Sequence, residues 1–134
     1  MLTRIKYLMS KGEDFAFETT LSTRSYVSLL QKAHEVGYVS TLLFFWLNSP
    51  ELAVRRVQVR VQEGGHHIPE DVIRRRYERG LHNFFTLFKP LVFNWILIDG
   101  SDDKRPIIAE KIDGVERVFD NIIWKNLNEE YNES

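Results

Sequence analysis

The stretch YVSTLLFFWLNSPEL, residues 38–52, decides how the rest of the chain is read. Tyr38–Leu47 is almost continuously apolar, too much so for a half-exposed strand, and half the length needed to span a bilayer. Such a run reads as a strand buried on both faces, the habit of parallel sheets. NSPEL, directly behind it, is a helix start: Ser49 offers a side-chain oxygen to orphan backbone N–H groups, and Pro50 suits the first helical position. A buried strand feeding a capped helix is an α/β signature.

The flanks extend that pattern. Leu2, Ile5, Leu8 and Met9 fall at helical spacing before Gly12. DFAFETTLS, residues 14–22, then predicts a short buried strand over 14–19 ending in Glu18, Thr19 and Thr20. Ser22 or Ser25 is positioned to cap a helix whose apolar face is Tyr26, Leu29, Leu30, Ala33 and Val36 and which stops at Gly37. After Ser49, the spacing of Leu52, Val54, Val57 and Val61 predicts a helix to about Gln62, against a strand-like alternation of Val57, Val59 and Val61. GGHHIP is a connector, and Ile73, Tyr77, Leu81, Phe84, Phe85 and Phe88 then mark a long helix from Glu70 to Pro90.

NWILID (94–99) is another buried strand, and IIAEKIDGVERVF (107–119) is a hairpin around a type I′ Asp-Gly turn. Asp120 can cap a last helix carrying Ile123, Trp124, Leu127 and Tyr131, with the acidic tail over 126–134 expected to fray. The order predicts one domain over 1–134: an α/β fold with a mostly parallel sheet, helices on both faces and a C-terminal β-hairpin.

Composition agrees with an ordinary folded domain, 134 residues that are 43% hydrophobic and 28% charged. A net charge of −1 argues against a protein that coats nucleic acid. The absence of cysteine removes disulfides and thiolate metal sites and fits a reducing cytoplasm. MLTRIKYLMSKGED has no continuous apolar core of a signal peptide, and no membrane partner is expected.

In open α/β sheets ligands bind beyond the carboxyl ends of the strands. That gathers Glu18-Thr19-Thr20, Asn48-Ser49 and Asp99-Gly100 along one edge. A carboxylate at Glu18 can orient a metal-bound water, accept a proton or bind a hydroxyl; equally, it can cap the next helix or pair with an arginine. Seven of the eleven arginines lie within 55–79: Arg55, Arg56, Arg60, Arg74, Arg75, Arg76 and Arg79. Guanidinium forks suit phosphate oxygens, so the two helices around the Gly-Gly connector form either a lid over a polyphosphate or a pair of solvated faces. Glu63, Glu70, Asp71 and Glu78 offset much of the charge in the second case. His66 and His67 are adjacent and far from His34 and His82, which gives no zinc spacing, and no metal site is expected. The chain has seven glycines and no Gly-Lys dipeptide, so it contains no G-x-x-x-x-G-K-[ST] loop to cradle phosphates.

Together, G-x-x-FAFETTLS (12–22), GYVSTLLFFWLNSPELAVRRV (37–57), RVQEGGHHIPEDVIRRRYERGLHNFF (60–85) and PLVFNWILIDGS (90–101) resemble the zeta-toxin-like P-loop kinases from about residue 1 to about 124. The resemblance implies a P-loop kinase fold and ATP-dependent phosphoryl transfer. In better-studied relatives the acceptor is UDP-N-acetylglucosamine, and an antitoxin blocks the nucleotide site. By motif, Glu18, Thr19 and Thr20 match the substrate-binding wall. Arg60, Arg75 and Arg76 match catalytic arginines that neutralise the transferring phosphoryl, with Arg56, His66 and Arg74 completing the lid.

The departure is at the start. The resemblance implies that a strand, the Walker A loop, its helix and a second strand, about 50–70 residues, precede the equivalent of Met1. ATP with magnesium therefore belongs to the complete family domain, and this chain alone is expected to bind neither tightly. The family strand order, 2-3-1-4-5, would leave the FETT and LLFFWL strands with unpaired edges. Self-association, the missing N-terminal segment or an antitoxin-like partner would fill them. The alternative to a phosphotransferase is a non-catalytic interaction module that pairs with a separate nucleotide-binding half.

Overall fold

Helix starts and stops fall largely where the local chemistry puts them in the computed structural model, which describes residues 7, 9, 11–14, 19 and 21–132. The elements are α1 (Val27–Glu35), β1 (Thr41–Trp46), α2 (Pro50–Gln62), α3 (Glu70–Asn83) with a π-helical turn (Phe84–Phe88), β2 (Asn94–Asp99), β3 (Ile107–Ile112), β4 (Val115–Val118) and α4 (Asn121–Leu127), which runs into a second π-helical turn (Asn128–Asn132). The Ser49 hydroxyl accepts the Leu52 N–H at 3.2 Å, and Asp120 accepts that of Ile123 at 3.0 Å. In α1 the N-cap position falls to Tyr26 rather than to either expected serine, and the Ser25 hydroxyl meets that of Thr23 at 3.1 Å.

Both α1 and α2 end in the same way. Gly37 (φ 94°) and Gly64 (φ 97°) take the left-handed conformation just past the cap. The next residues return their N–H groups to the last turn, Tyr38 to Ala33 and Gly65 to Arg60.

The sheet runs β1-β2-β3-β4, and only β1 and β2 are parallel. The mostly parallel sheet expected above is therefore a mixed one. A parallel neighbour needs a crossover, and the seven residues between Asp99 and Ile107 are too few for it. Asp113 and Gly114, with φ of 50° and 82°, form the type I′ turn that folds β4 back on β3.

β1 is not buried on both faces. Leu42, Phe44 and Trp46 pack on the core, while Leu43 and Phe45 stay 53% and 49% exposed. Residues of α1, α3 and α4 join Leu42, Phe44 and Trp46 in one core cluster. The expected helix over 2–11 and strand over 14–19 lie largely outside the described residues.

Phe84 is fully buried in that core cluster. Its ring meets Phe44 at 4.9 Å, Phe85 at 5.0 Å and Trp95 at 5.9 Å, all nearly edge-on. The wide turn, in which the Lys89 N–H donates to the Phe84 carbonyl at 2.8 Å, lets Phe84, Phe85 and Phe88 all face inward. The tail does not fray from residue 126 as expected: Leu127 and Tyr131 are buried, and the Tyr131 ring stacks on Phe85. No helix among the described residues is long and apolar enough to cross a membrane.

Removing Phe84 empties the junction of helix and sheet. Phe84→Ala is expected to cost about 3–5 kcal/mol in urea unfolding. Leu43→Thr, on the open face, is expected to stay within about 0.5 kcal/mol.

Candidate functional site

The parallel register sets Trp46 level with Asp99, so the chain leaves β1 and β2 side by side. Just beyond, the Gly100 N–H donates to the Trp46 carbonyl at 2.7 Å, and the Asn48 N–H donates to the Ser101 hydroxyl at 2.7 Å. A Cβ at position 100 would lie 3.2 Å from the Trp46 oxygen and 3.3 Å from a Leu47 methyl, which favours glycine there. The Asp99 carboxylate is turned onto the Ser101 N–H at 2.9 Å.

Two side chains fasten the helices to this edge. Arg56 of α2 donates to the Gly100 carbonyl at 2.7 Å, and the Tyr77 hydroxyl of α3 donates to the Leu47 carbonyl at 2.7 Å. Burial, reinforced by the charges of Glu78, Glu130 and Glu51, pushes the Tyr77 phenol up to about 12. A third tie joins the helices to each other: Arg74 bridges Glu51 of α2 at 3.1 Å and Glu70 of α3 at 3.2 Å. A bond from its own backbone N–H, followed by Arg74, holds the Glu51 carboxyl below its usual range. All three charged groups are well exposed, so the bridge sets geometry more than it adds stability.

The remaining arginines can be placed by helical phase. Arg60 lies one turn after Arg56 and so on the same side of α2. On α3, buried Ile73 and half-buried Tyr77 mark the inward face. At about 100° per residue, Arg75 points away from it, while Arg74 and Arg76 flank it. Arg60, Arg75 and Arg76 are exposed and form no ion pair among the described residues.

The structure therefore brings Arg56, Arg60 and Arg74–Arg76 onto one packed helix pair, with His66 in its exposed connector. Thr19 is exposed, and its hydroxyl accepts the Leu21 N–H at 3.2 Å. Glu18 and Thr20 lie outside the described residues. Among the described residues no group of three His, Cys, Asp or Glu side chains could hold a metal ion. Sequence reasoning missed Ser101 and Arg105, whose guanidinium lies 5.9 Å from the Phe45 ring, because no spacing rule singles out a short loop. It read Tyr77 as core alone, and the polar end of a tyrosine at a core position was the available signal.

A family model described as Zeta toxin matches residues 2–113, more than four-fifths of the chain. The chain belongs to the zeta toxin family. An uncharacterized protein of Haemophilus influenzae is 36% identical over 63 residues, which are 47% of this chain and 45% of that relative. The matched part thus spans just under half of the curated relative's length. No solved structure matches. The match ends within the β3–β4 turn, so β4, α4 and the final turn lie beyond it.

Tyr77 supplies a pH test. Its folded pKa, about 12, lies above the ordinary value of 10.0, so the stability it contributes is present below pH 10 and lost as pH rises through 12. Tyr77→Phe is expected to remove one late-titrating phenol from the ultraviolet titration and to flatten part of the alkaline loss of stability. Tyr131, also shifted upward by burial and by Glu78, carries the remainder.

Proposed function

We propose that this chain is the lid and acceptor side of a zeta-toxin-like phosphotransferase, acting on a nucleotide sugar such as UDP-N-acetylglucosamine. The observation that carries the reading is the helix pair α2–α3, loaded with arginine and fastened through Arg56 and Tyr77 to the carboxyl edge of the parallel strands. Arg60 and Arg76 are the groups best set to neutralise phosphate oxygens. Arg75, on the outer side of α3, adds to the positive field. Glu18, Thr19 and Thr20 form the acceptor wall in this reading.

The residues present do not fit magnesium-bound ATP. The sequence holds no phosphate-cradling loop, and no described group of side chains could hold the metal. In this reading the chain by itself is expected neither to bind that nucleotide tightly nor to transfer phosphate. Titration calorimetry with UDP-N-acetylglucosamine is expected to show weak binding that Arg60→Ala and Arg76→Ala each reduce roughly tenfold, the worth of one charge-assisted hydrogen bond, at unchanged Tm. Phosphoryl transfer from ATP by the isolated chain would overturn the incomplete-site reading. Binding indifferent to both substitutions would return the arginines to solvated faces.

A second reading rests on β1. Its outer edge pairs with no strand among the described residues, and the face bearing Leu43 and Phe45 is open. We propose on that ground an interaction module, whose edge takes a strand from a separate nucleotide-binding half or an antitoxin-like partner. In isolation a second copy would serve. Sedimentation velocity is expected to show association in the micromolar range, and a clean monomer there would count against this reading.

A further inference from the structure

A cavity of about 300 Å³ opens between α3, α4 and the end of β1. Trp46, Tyr77 and Tyr131 give it aromatic walls, and Glu78, Glu130 and Asn126 give it a polar rim. The two tyrosine hydroxyls are committed to the frame: Tyr77 donates to the Leu47 carbonyl, and Tyr131 donates to Glu78 at 2.9 Å. Glu78 and Glu130 form no ion pair among the described residues, and Lys125 of α4 is matched with Glu129 instead, at 4.0 Å. Burial first, and then the charges of Glu78, Glu130 and Glu51, raise the pKa of the Tyr77 phenol in the wall.

That lining excludes most ligand classes. A phosphate or carboxylate would face two uncompensated carboxylates. A metal ion would find too few ligands, since no group of three acidic or histidine side chains gathers among the described residues. A purely apolar molecule would leave the rim groups unpaired. What is complementary to aromatic walls beside two carboxylates with no ion pair among the described residues is an organic cation, attracted by the rings and by charge-assisted hydrogen bonds. The volume is at the lower end of the range for small-molecule sites.

We propose that this cavity binds a small organic cation, an ammonium-bearing molecule of about the size of choline. The site is composite. Trp46, Tyr77 and Glu78 belong to the part matched by the family model, whereas Asn126, Glu130 and Tyr131 lie beyond it. It does not depend on the phosphotransferase reading.

The test is an NMR titration of the full chain with choline chloride, against sodium chloride at equal ionic strength and glycerol as a neutral molecule of similar size. Saturable shifts are expected at the Trp46 indole N–H and the Asn126 side-chain amide. The double variant Glu78→Gln/Glu130→Gln should weaken binding at least about tenfold. Glu130→Gln alone leaves the Tyr131–Glu78 bond in place, so it should weaken binding severalfold at unchanged Tm, and it decides the matter if the double variant does not fold. Shifts that sodium chloride reproduces, equal binding of glycerol, equal shifts with magnesium chloride, or undiminished binding by a folded variant would each overturn the proposal.

Discussion

Phe84 is the contact on which the arrangement depends. Fully buried, it touches Phe44 of β1 and Trp95 of β2 at once, and so locks α3 across the one parallel pair. The position of the site follows by simple lengths. From Phe84 back to Tyr77 is about 10 Å along a helix. From Phe44 forward to Leu47 is about 10 Å along a strand. The two run in opposite directions, so Tyr77 arrives at the end of β1, where its hydroxyl meets the Leu47 carbonyl. A ring packed in the core thereby sets where α3 presents its arginines.

The arginines show how one residue type takes different roles within a single helix pair. Arg56 and Arg74 are spent on structure, one on the Gly100 carbonyl and the other on two carboxylates. Arg60 and Arg76, a turn or two positions away, form no ion pair among the described residues. Gly64 and Gly65 make this division workable: they end α2 within one turn of Arg60, through the Gly65 N–H on the Arg60 carbonyl. The connector then returns directly into α3. A Cβ at Gly65 would come within 2.8 Å of that same carbonyl, so the second glycine is required by close approach and not by its own φ.

Features with a local cause were legible in the sequence. Ser49-Pro50, Asp120, Gly37, Gly64 and Asp113-Gly114 each act through a cap or turn that needs no distant partner. The partners of an apolar strand are a different matter. Tyr38–Leu47 carries apolar side chains on both faces, yet that pattern does not state what covers each face, and here Leu43 and Phe45 are left half open. The direction of β3 was equally hidden, because it turns on the length of the loop after Asp99 rather than on any side chain. In the candidate site, helical spacing placed the arginines on two adjoining helices, and the lack of a Gly-Lys dipeptide showed that this sequence holds no phosphate-cradling loop. The difference between Arg74 and Arg76 required the position of Glu51, 23 residues before Arg74. Glu18 and Thr20, which prompted the acceptor wall, lie outside the described residues.

The C-terminal segment is less an appendage than the end of the zeta toxin match would suggest. Trp124 stacks on Trp95 at 5.4 Å, Tyr131 stacks on Phe85 at 6.2 Å, and the Lys89 ammonium lies within 5.5 Å of the Phe85, Trp95 and Trp124 ring centres. Burial lowers the pKa of Lys89, and the three ring faces offset part of that cost while it stays charged. The aromatic group therefore continues the packing around Phe84 without a break, from β2 through the π-helical turn to the last described residues. Tyr131 belongs to this group and to the cavity wall, and Tyr77 belongs to the cavity and to the site edge. A ligand seated between those two tyrosines would bear on the helix that carries Arg74–Arg76. The physical link between the cavity and those arginines would be α3 itself, held at one end by Phe84 and at the other by Arg74.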